Sequence, residues 1–217
     1  MKLNLKATII ATAVVMTLDS IQRILKYVPY AQERMNNWSS DQFAVYGLVI
    51  GVLALFLYIC ALLIGFAISS NRENLPALSP CMRTQLIVIV GMIIFNLLWY
   101  VVYYSIGSEN IPEVCRQIVS YWLITQKVLL TAWLWQLAFT KQGTFSSANI
   151  GKTGKIFSWG WIISIVAMFA TAIVFIIVNE SDLPRFFYSI SAEIGYIMNL
   201  ILLGGYWWFE RKNNNIV

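Results

Sequence analysis

The sequence predicts an all-α fold, a polytopic bundle of transmembrane helices. Three observations carry that prediction. Of 217 residues, 59% are hydrophobic and only 12% are charged, and the mean hydropathy of +0.69 lies far from that of a soluble domain. Apolar segments of about 20 residues, enough to cross a ~30 Å hydrocarbon core, recur along the chain. The 15 bases and 10 acids fall mostly between these segments, and no polar stretch is long enough for a separate soluble domain of ~50 residues. Residues 1–217 therefore read as a single transmembrane domain.

Six spans are predicted, over approximately 3–28, 43–69, 85–106, 117–139, 156–178 and 186–208. The first is the least regular. Its uninterrupted apolar core covers about 12 residues, near 18 Å at helical rise, and a short apolar run behind lysines also matches the start of a secretory signal. It is read as a first helix that continues as an amphipathic stretch through Ile21, Ile24, Leu25 and Val28 and stops before Pro29. Five spans result instead if residues 3–18 lie at the membrane interface. The other five spans meet the length criterion directly. Pro29, Pro76, Pro80, Pro112 and Pro184 all fall in the predicted connections, so the spans are unbroken. The halves of the chain show no internal repeat. Unbroken helices without inverted repeats count against a carrier that binds substrate at interrupted helices.

The bases orient the bundle, because lysine and arginine accumulate on the cytoplasmic side of short loops. With the N-terminus inside, Lys2, Lys6, Arg72, Arg83, Lys141, Lys152, Lys155, Arg211 and Lys212 are cytoplasmic, against Arg23, Lys26, Arg34, Arg116 and Arg185 outside. Both termini are then cytoplasmic. Of the acids, only Glu73 and Glu210 fall inside. Trp99, Tyr100, Tyr103, Tyr104, Tyr121, Trp122 and Tyr188 mark the outer boundary, and Trp133, Trp135, Trp159, Trp161, Trp207 and Trp208 the inner one, as interfacial anchors. A bacterial inner membrane is the expected location. Asn37-Trp38-Ser39 and Asn179-Glu180-Ser181 are glycosylation sequons at the frequency chance supplies.

The composition excludes whole chemistries. There is no histidine, which removes histidine-ligated haem and zinc and serine–histidine hydrolysis. Cys60, Cys81 and Cys115 fall in a span, an inner loop and an outer loop, so no intrachain disulfide is expected. No cofactor, no metal and no catalytic residues are predicted, and no basic run is dense enough for direct nucleic-acid binding.

Three features remain as candidate sites. The second span carries a GxxxG at Gly47 and Gly51 that extends through Ala54, Tyr58, Ala61 and Gly65, a helix-packing seam facing either another helix of the chain or a second copy. A weaker seam, Gly160, Ser164, Ala167 and Thr171, lies in the fifth span. Within the membrane, Lys127 and Glu193 sit roughly 15 Å and 10 Å from the outer boundary at helical rise. Similar depths and polar neighbours make an ion pair between them the expectation: Ser120 and Thr131 beside Lys127, Ser189 and Tyr196 beside Glu193. With Asn96, Gln126 and Asn199 the pair either locks helix register or lines an ion or proton path. Third, the segment 141–155 reads as a flexible, basic cytoplasmic connector. Lys141, Lys152 and Lys155, with Arg211 and Lys212, form its docking surface. Gly151-Lys152-Thr153 is no phosphate loop, since Ser146 stands where the first glycine is required.

The expected function is a non-catalytic integral membrane subunit that anchors or senses at the membrane, self-associates and recruits a cytosolic protein. Its predicted partners are the lipid bilayer, further copies of itself and that protein. The segment from Asp19 to Ala44, longer than any other connection, is the expected external sensing surface. In size and build the chain is similar to small membrane components of bacterial stress and antiphage-defence systems, the Kiwa membrane subunit among them, a likeness of architecture that no shared motif carries. The alternative is a small oligomeric channel or transporter using Lys127 and Glu193.

Overall fold

A computed structural model describes residues 3–107, 110–178 and 182–214, and the side chains of these apart from 175, 176, 178, 182–192 and 214. The described residues form seven helices: α1 (Leu5–Leu25), α2 (Pro29–Asn36), α3 (Ser40–Ser70), α4 (Pro80–Ile106), α5 (Glu113–Phe139), α6 (Ala148–Val178) and α7 (Asp182–Asn214). By length and composition, Leu5–Leu25, Ser40–Ser70, Pro80–Ile106 and Ala148–Val174 can each cross a membrane, consistent with an integral membrane protein. In α5 the Gln126–Lys127 pair interrupts the apolar run at mid-helix, and Glu193 and Asn199 do the same in α7.

Helix starts follow from local chemistry. Asn4 accepts from Ala7 N at 3.1 Å to open α1. Ser39 and Gln42 form a reciprocal capping box at α3, with Ser39 N donating to Gln42 Oε1 at 2.9 Å. Ser79 accepts from Met82 N, with Pro80 at the first helical position of α4. At the other end α4 stops at Gly107, whose φ of 85° suits a residue without a Cβ. Ser147 accepts from Ile150 N at the start of α6.

Two expectations change here. The segment 141–155 is no flexible connector, because α6 begins at Ala148 and places Lys152 and Lys155 on its first turns. Gly154 is a point of close helix approach. A Cβ at Gly154 would lie 2.6 Å from the Gly65 carbonyl oxygen, and one at Gly65 would lie 2.7 Å from that of Gly154. The outer segment 19–44 also shrinks: Asp19 to Leu25 belong to α1, as the predicted continuation of the first helix implies, and Ser40 onward to α3, leaving 26–39 with α2 inside it. The sequon residues Asn37 and Ser39 flank this turn, and Asn179 lies outside the described residues.

The long helices pair as antiparallel neighbours and close a ring in the order α1, α5, α4, α7, α6, α3. It is built of the helix pairs α1/α3, α4/α5 and α6/α7. At one end, here called the hairpin end, the chain passes between the two helices of a pair, in α1/α3 by way of α2. At the other, the collar end, residues 71–79 and 140–147 cross between pairs and bind each other. Leu75 N donates to Phe145 O at 3.0 Å and Phe145 N to Leu75 O at 3.2 Å. Thr144 Oγ1 donates to Leu75 O and accepts from Ala77 N. Ser147 N donates to Arg72 O at 2.8 Å, and Asn71 Nδ2 reaches Leu3 O at 2.7 Å.

Burial follows this asymmetry. In α3 the buried residues are Cys60, Ile64, Gly65, Ala67 and Ile68, all in the collar half. Leu48, Val49, Val52 and Leu55 in the hairpin half are exposed. Trp133, read from sequence as an interfacial anchor, is instead buried in the collar core, its ring 6.3 Å from that of Tyr206.

Candidate functional site

Two polar constellations stand out, one between α1 and α5 and one at the collar. Between α1 and α5 a charged group is brought together. Lys127 Nζ lies 2.5 Å from Asp19 Oδ2, and Arg23 Nε lies 3.0 Å from the same oxygen. One turn away, Ser20 and Thr131 hydroxyls hydrogen-bond at 3.2 Å, and Trp135 Nε1 donates to Thr17 Oγ1 at 3.1 Å. Asn96 Nδ2 of α4 donates to Gln126 Oε1 of α5. The collar ends of these three helices are Leu5 in α1, Pro80 in α4 and Phe139 in α5. Measured from those ends at helical rise, Asp19, Asn96 and Lys127 all lie ~18–24 Å along their helices, in one layer.

The partner of Lys127 is therefore Asp19, not Glu193 as expected. The cause is the ring order: α4 stands between α5 and α7. Sequence reading missed Asp19 by counting it among the outer acids at the head of the external segment, although it falls within the predicted first helix. The available signal was the spacing Asp19–Arg23, four residues apart in a continuing amphipathic stretch. Glu193 is on α7, which packs against α4 and α6. Its Oε2 is buried without a hydrogen-bond partner, as are Asn96 Oδ1 and Tyr100 Oη. Asn199 is half-buried on α7, and the Ser189 side chain lies outside the description.

The small-residue seam divides at its middle. At Gly65 a Cβ would meet the Phe157 ring at 2.6 Å as well as the Gly154 carbonyl. That half, with the half-buried Ala61, packs α3 against α6. At Gly47 and Gly51 a Cβ would meet nothing within 4 Å, so these two positions of the hairpin half are unpacked within this chain, and Ala54 after them is half-buried. The second seam is used: Ser164 is fully buried, and a Cβ at Gly160 would meet Met198 of α7.

At the collar, Glu210 is fully buried. It takes a bidentate contact from Arg83, Nη2 to Oε1 at 2.7 Å and Nε to Oε2 at 3.0 Å, and accepts from Leu78 N at 3.3 Å. Tyr206 Oη, one turn earlier, donates to Pro76 O at 2.7 Å. The two side chains clamp α7 onto the α3–α4 crossing. Around this clamp the predicted docking bases Lys141, Lys152, Lys155, Arg211 and Lys212 are all exposed, joined by Lys6 and Arg72. The Arg211 guanidinium lies over the Trp207 ring, 5.7 Å from its centroid. Glu73 is the exposed acid at this end, Glu210 being turned inward. The collar rim is therefore a basic surface on a hydrogen-bonded platform.

Among the described residues, no three His, Cys, Asp or Glu side chains group as a metal site would require. No family model, curated protein or solved structure matches the chain.

Proposed function

We propose that this chain is a non-catalytic, multi-pass membrane subunit that self-associates and recruits a cytosolic protein to its collar. All six long helices cross the bilayer in this reading, with the collar and both termini in the cytoplasm. The location proposed is a bacterial inner membrane, in a stress or antiphage-defence system. The observation that carries the reading is the exposed basic rim around the Arg83–Glu210 clamp. Bases on one end of a helical bundle favour the cytoplasmic side. A rim that exposes Glu73 as its acid complements an acidic protein surface and, at its edge, anionic lipid.

Two further features support it. The unpacked Gly47–Gly51 face lets a second copy approach α3 closely. The lack of histidine, and of any nucleophile paired with a base in the sequence, supports a role without catalysis.

The test is purification from native membranes of the wild-type chain and of a Lys152→Glu/Lys155→Glu/Lys212→Glu variant. The proposal expects one soluble protein in fixed ratio with the wild type and its loss from the variant at equal yield of membrane protein. A wild type that purifies without a soluble partner, or a partner indifferent to charge reversal, contradicts it.

A second reading, a small oligomeric channel or transporter, is favoured by the ionisable residues Asp19, Lys127 and Glu193 within the long helices. Ion flux through liposomes carrying the purified protein, abolished by Glu193→Leu, supports that reading; silence opposes it.

A further inference from the structure

At the hairpin end a cleft of about 470 Å³ lies between the turn that follows α1 and the start of α5. Tyr27 walls one side, and Glu113, Arg116, Gln117 and Ser120 of α5 line the other. The Tyr27 wall is held in place. Its N–H donates to Ile24 O at 2.9 Å, the neighbouring Lys26 carbonyl accepts from Gln32 Nε2 at 2.7 Å, and its ring lies against that of Tyr121, centroids 5.2 Å apart. The α5 side carries two opposite charges that do not neutralise each other. Glu113 and Arg116 stand three residues apart on one helix, where Cβ atoms are about 5–6 Å apart, yet no ion pair joins them. No described residue pairs with the Arg116 guanidinium.

The polar atoms of the cleft sort by type. Gln117 Nε2 donates to Glu113 Oε1 at 3.4 Å, and Ser120 Oγ donates to Arg116 O at 2.9 Å. Beside the guanidinium the cleft therefore offers mostly acceptors: the Glu113 carboxylate, the Gln117 side-chain carbonyl and the Ser120 lone pairs. Acceptors beside a carboxylate suit an ammonium with N–H groups to give, and a guanidinium suits a phosphate, which it can hold through two N–H groups. A ligand with both charges on one short tether answers the whole set. The surroundings are those of a lipid. Val114, Ile118 and Tyr121 each follow a lining residue by one position, so an exposed apolar stripe runs down α5 about 100° round from the polar one. Ile24, Leu25 and Val28 are exposed where α1 ends. Tyrosine rings at the ends of membrane helices mark the headgroup level.

We propose that this cleft binds the phosphoethanolamine head of a phospholipid, with the phosphate on Arg116, the ammonium on Glu113 and Ser120, and an acyl chain along the apolar stripe of α5. The inference rests on the proposed crossing of the bilayer by α1 and α5, and it needs neither the collar nor a cytosolic partner. Occupancy follows the composition of the leaflet at the hairpin end, which gives a membrane-sensing subunit a chemical signal to read.

Native mass spectrometry of the full chain, purified in detergent, counts the lipids retained after addition of dioctanoyl phosphatidylethanolamine, phosphatidylcholine or phosphatidylglycerol. The expected result is one phosphatidylethanolamine per chain, bound at least about tenfold more tightly than either of the others, because choline has no N–H to donate and glycerol no positive charge. Arg116→Gln and Glu113→Gln are each expected to weaken that binding about tenfold at an unchanged melting temperature, both side chains being exposed. Equal binding of the three lipids overturns the proposal, as does a preference for phosphatidylethanolamine that both variants keep. Soluble phosphoethanolamine that displaces the lipid at equal concentration assigns the cleft to a free solute and overturns the lipid. The comparison of lipids uses the wild type alone and decides the matter if a variant folds poorly. Alkaline washing of the membranes reads insertion separately: a released chain overturns the bilayer crossing itself, and a retained chain without lipid preference overturns the site alone.

Discussion

Arg83 and Glu210, on helices far apart in sequence, meet through two hydrogen bonds at 2.7 and 3.0 Å, with the carboxylate fully buried and the guanidinium side chain one-third exposed. The pair fixes the last turns of α7 against the crossing between α3 and α4. Its asymmetry makes the two ends unequal.

Removing Arg83 strands a buried carboxylate, whereas removing Glu210 leaves a guanidinium that water can reach. Arg83→Met is expected to cost about 3 kcal/mol or more, and Glu210→Gln about 1–2 kcal/mol, since the exposed partner is screened. Thermal unfolding in detergent measures both. The reverse order, or equal losses, contradicts the clamp as described.

Asp19 and Lys127 are predicted to be coupled. Asp19→Asn leaves Lys127 and Arg23 as neighbouring like charges, and Lys127→Met leaves Asp19 with Arg23 alone. In a double-mutant cycle the interaction energy is expected at about 1–3 kcal/mol. Additive effects on the melting temperature mean that the pair contributes nothing beyond its separate residues.

The seam makes opposite predictions for its two halves. At Gly65 even alanine drives a Cβ into the Phe157 ring and the Gly154 carbonyl, so Gly65→Ala is expected to destabilise the monomer by about 1–3 kcal/mol. At Gly51 there is open space. Gly51→Leu should leave unfolding unchanged while reducing cross-linking between copies in the membrane. Unchanged cross-linking removes this face from self-association.

The long apolar helices, their unbroken course and the small-residue seam were legible because each depends on residues close in sequence. The partners of charged groups were not. Lys127 was visible as an intramembrane base, but its acid was set by a ring in which α5 meets α1 and α4, and no local pattern encodes that order. Glu210, between Trp207-Trp208-Phe209 and Arg211-Lys212, reads as an acid in a charged tail. The arginine that buries it lies on α4 and joins it only when the collar forms. The basic segment from Lys141 read as flexible because glycine and serine dominate it. Gly154 is instead the point where α3 and α6 touch, and Ser147 is a helix cap. For the polar layer as a whole, sequence supplied the residue types and approximate depth, and topology supplied the pairing.

Everything proposed for the basic rim depends on the collar facing the cytoplasm. Cys81 is exposed at the collar and Cys115 is partly exposed at the hairpin end, so the native chain, with Cys60 changed to alanine, reports its own orientation. In intact cells an impermeant maleimide is expected to label Cys115 and to spare Cys81 until the membrane is permeabilised. Labelling of Cys81 from outside, with Cys115 protected, places the rim on the wrong side for a cytosolic partner and contradicts the proposed function.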